Sequence, residues 1–322
     1  MVNPVEILSM GGMVAVVALM CTVIGGGIAA VAPLLIGLRK LRWPASVAWL
    51  GLVSSLVFGV IGTWLGASAA NSAATASPEM AQTLVAAGIA RAMYSEVGAL
   101  LLLGPAFLLA STCTALPGPV LPGDGPKIDL SAIGGGVVGA LLGTALAVGC
   151  VVSVLGGDVR NLGLAQFIVP FVAAVGTVNV LVASLRISGQ DRNHQARMVG
   201  LRALTMTSAL IAIILAGQLF ASMGEIHAFR AVAVAAPDQK QAMLTAGLEI
   251  AGLARTMAWF LVFPVLFAGL GSVLPHLGRA DRRVGLGLGI ATAQLVIMAL
   301  SVVLMRTSIS GAFHGLVSSM AP

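Results

Sequence analysis

Residues 76–106 read ASPEMAQTLVAAGIARAMYSEVGALLLLGPA, and residues 235–265 read AAPDQKQAMLTAGLEIAGLARTMAWFLVFPV. Pro78, Gly88 and Pro105 of the first stretch fall on Pro237, Gly247 and Pro264 of the second, at a constant offset of 159 residues. Two prolines and a glycine at fixed spacing are backbone requirements, so shared ancestry explains the match better than coincidence. An internal repeat constrains the architecture before any single residue does. In membrane proteins the repeats also face each other across a pseudo-symmetry axis, with sites at their interface.

The composition says where such repeats sit. The mean hydropathy is +1.04. Hydrophobic residues make up 58% of the chain and charged residues 9%, against about 25% charged in a soluble domain. This is the composition of a polytopic membrane protein. Glycine is abundant, at 40 of 322 residues, and small residues let helices approach closely in lipid. Eight apolar stretches are long enough to cross a bilayer, which takes about 20 residues each. They are 10–38, 46–68, 83–113, 131–156, 164–186, 200–223, 243–274 and 284–306. An open sheet edge is unsatisfied in lipid, so the spans read as helices. The expected fold is all-α: a membrane bundle of about eight helices in two four-span repeats, 1–160 and 161–322. The first stretch is too long for a signal peptide and reads as an uncleaved span.

The charges give an orientation. Arg39, Lys40, Arg42, Lys127, Arg186, Arg192, Arg197, Arg202, Arg279, Arg282 and Arg283 follow odd-numbered spans and share one side. Basic loops stay inside, so both termini are expected outside an inner (cytoplasmic) membrane. An even number of spans per repeat makes the repeats parallel. The net charge of +6 is explained by topology and does not call for nucleic acid. The Pro/Gly-rich segment 114–130 reads as an inner loop, and outer loops 69–82 and 224–242 as extensions of the helices that follow them. No loop is long enough to hold a soluble domain. Cys21, Cys113 and Cys150 lie inside spans without metal spacing, and read as small apolar fillers. No nucleophile constellation, phosphate loop, dinucleotide fingerprint or metal spacing is present, so neither an enzyme, a cofactor nor a metal site is expected.

Residues 59–66 read GVIGTWLG, and Gly88 opens GIARAMYSEVGALLLLGPA. This pairing resembles the TolQ/ExbB/MotA family of proton-driven motor stators. There a Gly-x-x-Gly-Thr-x-x-Gly stretch closes the second span and a Gly-Ile-Ala-Glu-Ala-Leu stretch opens the third. The spacing matches without a gap from Gly59 to Ala106. In the second half, GEIHAF at 224–229 is similar to the family's Gly-Ile-Met-His-Ala-Phe, and TAGLEIAGLARTMAWFLVFPV follows with one residue of extra length.

The resemblance implies a stator-like subunit that surrounds the single-span helices of an ExbD/TolR/MotB-like partner bearing an Asp, for proton translocation. It places the family's pore threonines at Thr63 and Glu96 in the first repeat, and near Ala221 and at Arg255 in the second. The family's Glu after Gly-Ile-Ala falls on Arg91, and Glu249 lies one place from its counterpart. Pro105 and Pro264 stand where a proline lies close to the family's ion path, and they are expected to kink their helices. Three departures stand out: the large cytoplasmic region between spans one and two is missing, a fourth span is added, and the repeats are fused. A fused pair gives an even count in any homo-oligomeric ring.

Two readings of the charged positions stay open. Glu96 is a proton or cation site, since burial favours a neutral carboxyl that exchanges its proton. Alternatively Glu96 and Arg255 form a locked intramembrane ion pair. Either way an ionisable residue within a span is functional by default. Thr63 reads equally as pore-lining or as bonded to its own i−4 carbonyl. Glu225 and His227 read as an ordinary interfacial pair, and His194 and His276 as solvated loop residues. The basic loops could also hold anionic lipid headgroups. The alternatives to a stator are a non-conducting structural subunit, a proteolipid subunit of a rotary ATPase (suggested by SPEMAQ ahead of Glu96), and a generic secondary transporter.

Overall fold

The computed structural model describes residues 57–69, 81–115, 129–185, 192–236 and 238–277, and isolated positions 17, 20, 24, 72, 296, 299, 300 and 303. The expected first and last spans, both termini, Pro78, Pro237 and most of the basic loop residues lie outside the described residues. What is described is helical throughout, with no strand. We label the helices α1 (Val57–Ala69), α2 (Ala81–Ala115), α3 (Leu130–Cys150), α4 (Ala165–Ser184), α5 (Arg192–Val234) and α6 (Lys240–Leu277). Five of them, α2 to α6, are long and apolar enough to cross a membrane.

The helices begin and end where local chemistry dictates. Asp129 caps α3, its carboxylate accepting from the Ala132 amide at 3.2 Å, as an N-cap aspartate does. The α3 helix widens into a π turn at Val151–Leu155 and tightens into a 3-10 stretch, Gly156–Leu162, before α4. Gly156 and Gly163 take positive φ there, at 48° and 55°, a conformation that costs a glycine nothing. The expected outer loop 224–242 is instead mostly helix. The α5 helix runs on to Val234, so it is the preceding helix that extends. Pro105 and Pro264 both sit inside continuous helices.

Consecutive helices alternate in direction, and glycine sets how closely they approach. In the α1/α2 pair Gly59 faces Ala99 and Gly66 faces Ala92. In the α5/α6 pair Gly217 faces Ala258 and Gly224 faces Ala251. The tightest contact is α3 on α6. Gly135, Gly139 and Gly143 lie one turn apart, and a Cβ on each would run into the backbone at Gly271, Phe267 and Phe263 respectively. Between the two hairpins α2 lies antiparallel on α5, through Leu100, Leu103 and Phe107 against Ile211 and Leu215, and Ile89 and Met93 against Ile226 and Phe229. Val137, Val138, Leu141 and Leu142 of α3 point outward, as expected of a lipid-facing surface.

A polar clamp ties four helices at one end. Arg202 is 2% exposed. Its guanidinium donates to Asp129 Oδ2 at 3.4 Å and to the carbonyls of Ala183, Ser184 and Ser272 at 3.3–3.4 Å. Two of those carbonyls belong to the last turn of α4, which has no amides of its own to satisfy them. His276 Nε2 lies 2.6 Å from the same Asp129 oxygen. Arg202 and His276 are therefore structural residues inside helices, not the solvated loop residues their positions in the sequence suggested.

Two predictions follow from this packing. Gly139→Val forces the α3 and α6 backbones apart and should cost about 3 kcal/mol, the upper range for overpacking. Gly149→Val, where nothing lies within 4 Å, should be nearly neutral; thermal melts of the purified chain in detergent compare them. The second concerns acid. Burial pushes the Asp129 carboxyl up, but hydrogen bonds from Ser131 and Ala132 and the charge of His276 outweigh it and hold it at about 2 against an ordinary 3.8. A folded value below the unfolded one stabilises the fold above the unfolded value. That contribution should fade as pH falls from about 4 towards 2. The stability difference between wild type and Asp129→Asn should shrink over the same window.

Candidate functional site: a buried glutamate shared by three helices

Near the middle of α2, about 22 Å along it from Ala81, Glu96 is fully buried. Val97 and Leu100 beside it on α2, and Leu215 and Ile226 near its partners on α5, are all at 0% exposure. Its Oε1 accepts from Gln218 Nε2 and from Ser222 Oγ of α5, each at 2.8 Å. Those two residues stand one helical turn apart, so both side chains reach the same oxygen. Oε2 of Glu96 has no hydrogen-bond partner among the described residues.

Gln218 carries the network onward. Its Oε1 accepts from Arg255 Nε of α6 at 3.0 Å. A guanidinium only donates, so the amide oxygen must face Arg255 and the amide nitrogen must face Glu96. Arg255 Nη2 then donates to Glu225 Oε1 at 2.9 Å. The order is carboxyl, amide, guanidinium, carboxylate. Glu96 and Arg255 are thus linked through Gln218, and the ion pair that forms is Arg255 with Glu225. The two opposite charges of that pair cancel. Among the described residues Glu96 is left with neutral donors only, and with one oxygen that has no partner.

The other residues singled out from the sequence are placed as follows. Thr63 is fully buried and its Oγ1 donates to the Gly59 carbonyl at 2.9 Å, the i−4 bond. The α1/α2 register sets it opposite Ser95. His227 is exposed while Glu225 is buried against Arg255, so these two do not form the interfacial pair expected of them. Arg91 and Glu249 are exposed. Pro105 is exposed, and Pro264 is buried against Gly143. Among the described residues no group of three or more His, Cys, Asp and Glu is placed to hold a metal ion. Gln218 and Ser222 escaped the sequence reading. Their signal was a Gln and a Ser four apart in the apolar run 203–223, spaced to share one helix face.

Arg255→Met removes the guanidinium that the buried Glu225 carboxylate pairs with. The expected loss is about 1–3 kcal/mol, the cost of an unsatisfied charged partner, tempered because a third of Arg255 is exposed. Arg255→Met combined with Glu225→Met should be more stable than Arg255→Met alone, since the carboxylate that lost its guanidinium is removed with it. Equal or lower stability in the double variant would show that the pair does not couple.

No family model, curated protein or solved structure matches the chain.

Proposed function

We propose that the chain is an inner-membrane, stator-like subunit of a proton-motive-force-driven complex, with Glu96 as its intramembrane protonation site. One observation carries this reading. Glu96 is wholly buried and held by two neutral donors, its Oε2 has no partner among the described residues, and the neighbouring guanidinium is already paired with Glu225. A locked ion pair would hold no exchangeable proton, whereas Glu96 accepts from an amide and a hydroxyl and makes no ion pair among the described residues.

Two parallel four-span repeats are the framework of the proposal. It is supported by the 159-residue sequence match and by the glycine-on-alanine contacts that the α1/α2 and α5/α6 hairpins both make. The resemblance of these hairpins to the TolQ/ExbB/MotA second and third spans supports a separate single-span, ExbD/TolR/MotB-like partner. The distribution of Arg and Lys supports both termini outside. A second reading, the non-conducting structural subunit, is favoured by the complete burial of Thr63 and Glu96 within the chain, where a partner helix would not reach them.

Proton flux into liposomes decides between these. The chain is reconstituted with its co-purifying partners as wild type, Glu96→Gln and Thr63→Ala. Glu96→Gln should abolish flux with the assembly intact. Thr63→Ala, which loses only a bond to its own helix, should keep most of it. Unchanged flux in Glu96→Gln overturns the proposal. So does absence of flux in every form when Glu96→Gln also loses the assembly, the pattern expected of a structural subunit.

A further inference from the structure

Among the described residues, the contact between the two hairpins has an exposed counterpart. The α2 helix meets α5 through Met93, Glu96, Leu100 and Phe107, none more than 1% exposed. The residues 159 further on are Gly252, Arg255, Trp259 and Leu266, on one face of α6 at the same helical spacing. None of these four is buried. Trp259 is 54% exposed, the Arg255 side chain 34%, and a Cβ at Gly252 would meet nothing. The other side of the buried contact is Leu215, Gln218, Leu219 and Ser222 of α5. The residues 158 earlier are Val57, Val60, Ile61 and Trp64, on one face of α1. Val57 is 47%, Ile61 40% and Trp64 57% exposed.

One complementary pair of faces is therefore joined inside the chain, and among the described residues its counterpart pair is exposed, one member on α6 and the other on α1. Lipid is a poor cover for the α6 face, because a guanidinium near the middle of a span is costly to expose to acyl chains. Two copies meeting α6 to α6 would bring two Arg255 side chains together. The α1 face meets neither objection, being apolar with an indole at one end.

We propose that a second copy of this chain docks its α1 on the Gly252–Arg255–Trp259 face of α6, repeating between chains the contact that α5 makes with α2 within one. This rests on the two-repeat reading above. In that contact Arg255 stands in the place of Glu96, and Trp64 in the place of Ser222. A carboxyl bonded to a hydroxyl is replaced by a guanidinium over an indole, an attractive pairing once water is excluded. The contact is head-to-tail, so copies close into a ring if the rotation allows.

Cross-linking tests it without reading flux, so its outcome is separate from that of the proton measurement. In a chain with Cys21, Cys113 and Cys150 changed to Ala, Ile61→Cys and Trp259→Cys are co-expressed as separate variants and oxidised mildly in the membrane. Their counterparts Leu219 and Leu100 share one apolar cluster. Dimers that require both variants are expected, as is a ladder when both cysteines lie in one chain. The outward pair Val138→Cys and Phe171→Cys should stay monomeric. Trp259→Cys linking to itself alone, or no mixed dimer, overturns the proposal. A second readout is light scattering of the otherwise native chain in detergent. Trp64→Asp, on the face of α1 away from α2, should reduce an oligomer to the single-chain mass; an unchanged mass overturns the proposal.

Discussion

A single side-chain amide holds the centre of this molecule together. The buried Glu96 carboxyl and the half-buried Arg255 guanidinium each need a partner, because an apolar bundle offers little water to supply one. Gln218 serves both at once, its nitrogen on Glu96 and its oxygen on Arg255. Reversing the amide would set a donor against a donor at Arg255, so the network has one workable polarity. That polarity joins α2, α5 and α6, and it leaves the Arg255 charge to Glu225 rather than to Glu96. The free oxygen of Glu96 is a consequence of this division.

Such a network needs helices close enough for short side chains to span them. Glycine supplies the closeness. Gly217 and Gly224 bring α5 against Ala258 and Ala251 of α6, and Gly217 lies next to Gln218 in sequence and against the Arg255 backbone in space. At the far end, Arg202 and Asp129 do comparable work with charges, collecting the carbonyls of α4 and α6 and the start of α3. In lipid the apolar surface gains little by leaving one apolar environment for another. Close backbone contact and satisfied polar groups therefore carry more of the cohesion than they would in water.

Much of this was legible in the sequence, for identifiable reasons. Hydropathy located α2 to α6 because long apolar runs have no other use. The repeat drew attention to Glu96 and Arg255 because charge stands out against apolar neighbours. Gln218 did not stand out, since a neutral amide barely alters a hydropathy window, and so the two charges read as possible partners of each other. Arg202 and His276 were read as loop residues because basic side chains near span ends usually are. Asp129, the partner that draws them inward, sits within a Pro/Gly-rich stretch that gives no sign of ending in a helix cap. Thr63 offered two equal readings, and the i−4 bond to Gly59 is the one its geometry makes. The length of α5 was underestimated because Glu225, His227 and Arg230 look like loop residues until Arg255 and Tyr94 are seen opposite two of them.

The claim that matters most is that Glu96 takes up and releases a proton inside the bundle. Infrared difference spectroscopy of the reconstituted chain across pH, with Glu96→Gln as the reference, reads that carboxyl directly. The account predicts a carboxylic-acid carbonyl band that comes and goes with pH, shifts when Gln218→Leu removes one of its donors, and is missing from Glu96→Gln. A Glu96 that keeps one protonation state at every pH the folded chain tolerates would contradict it.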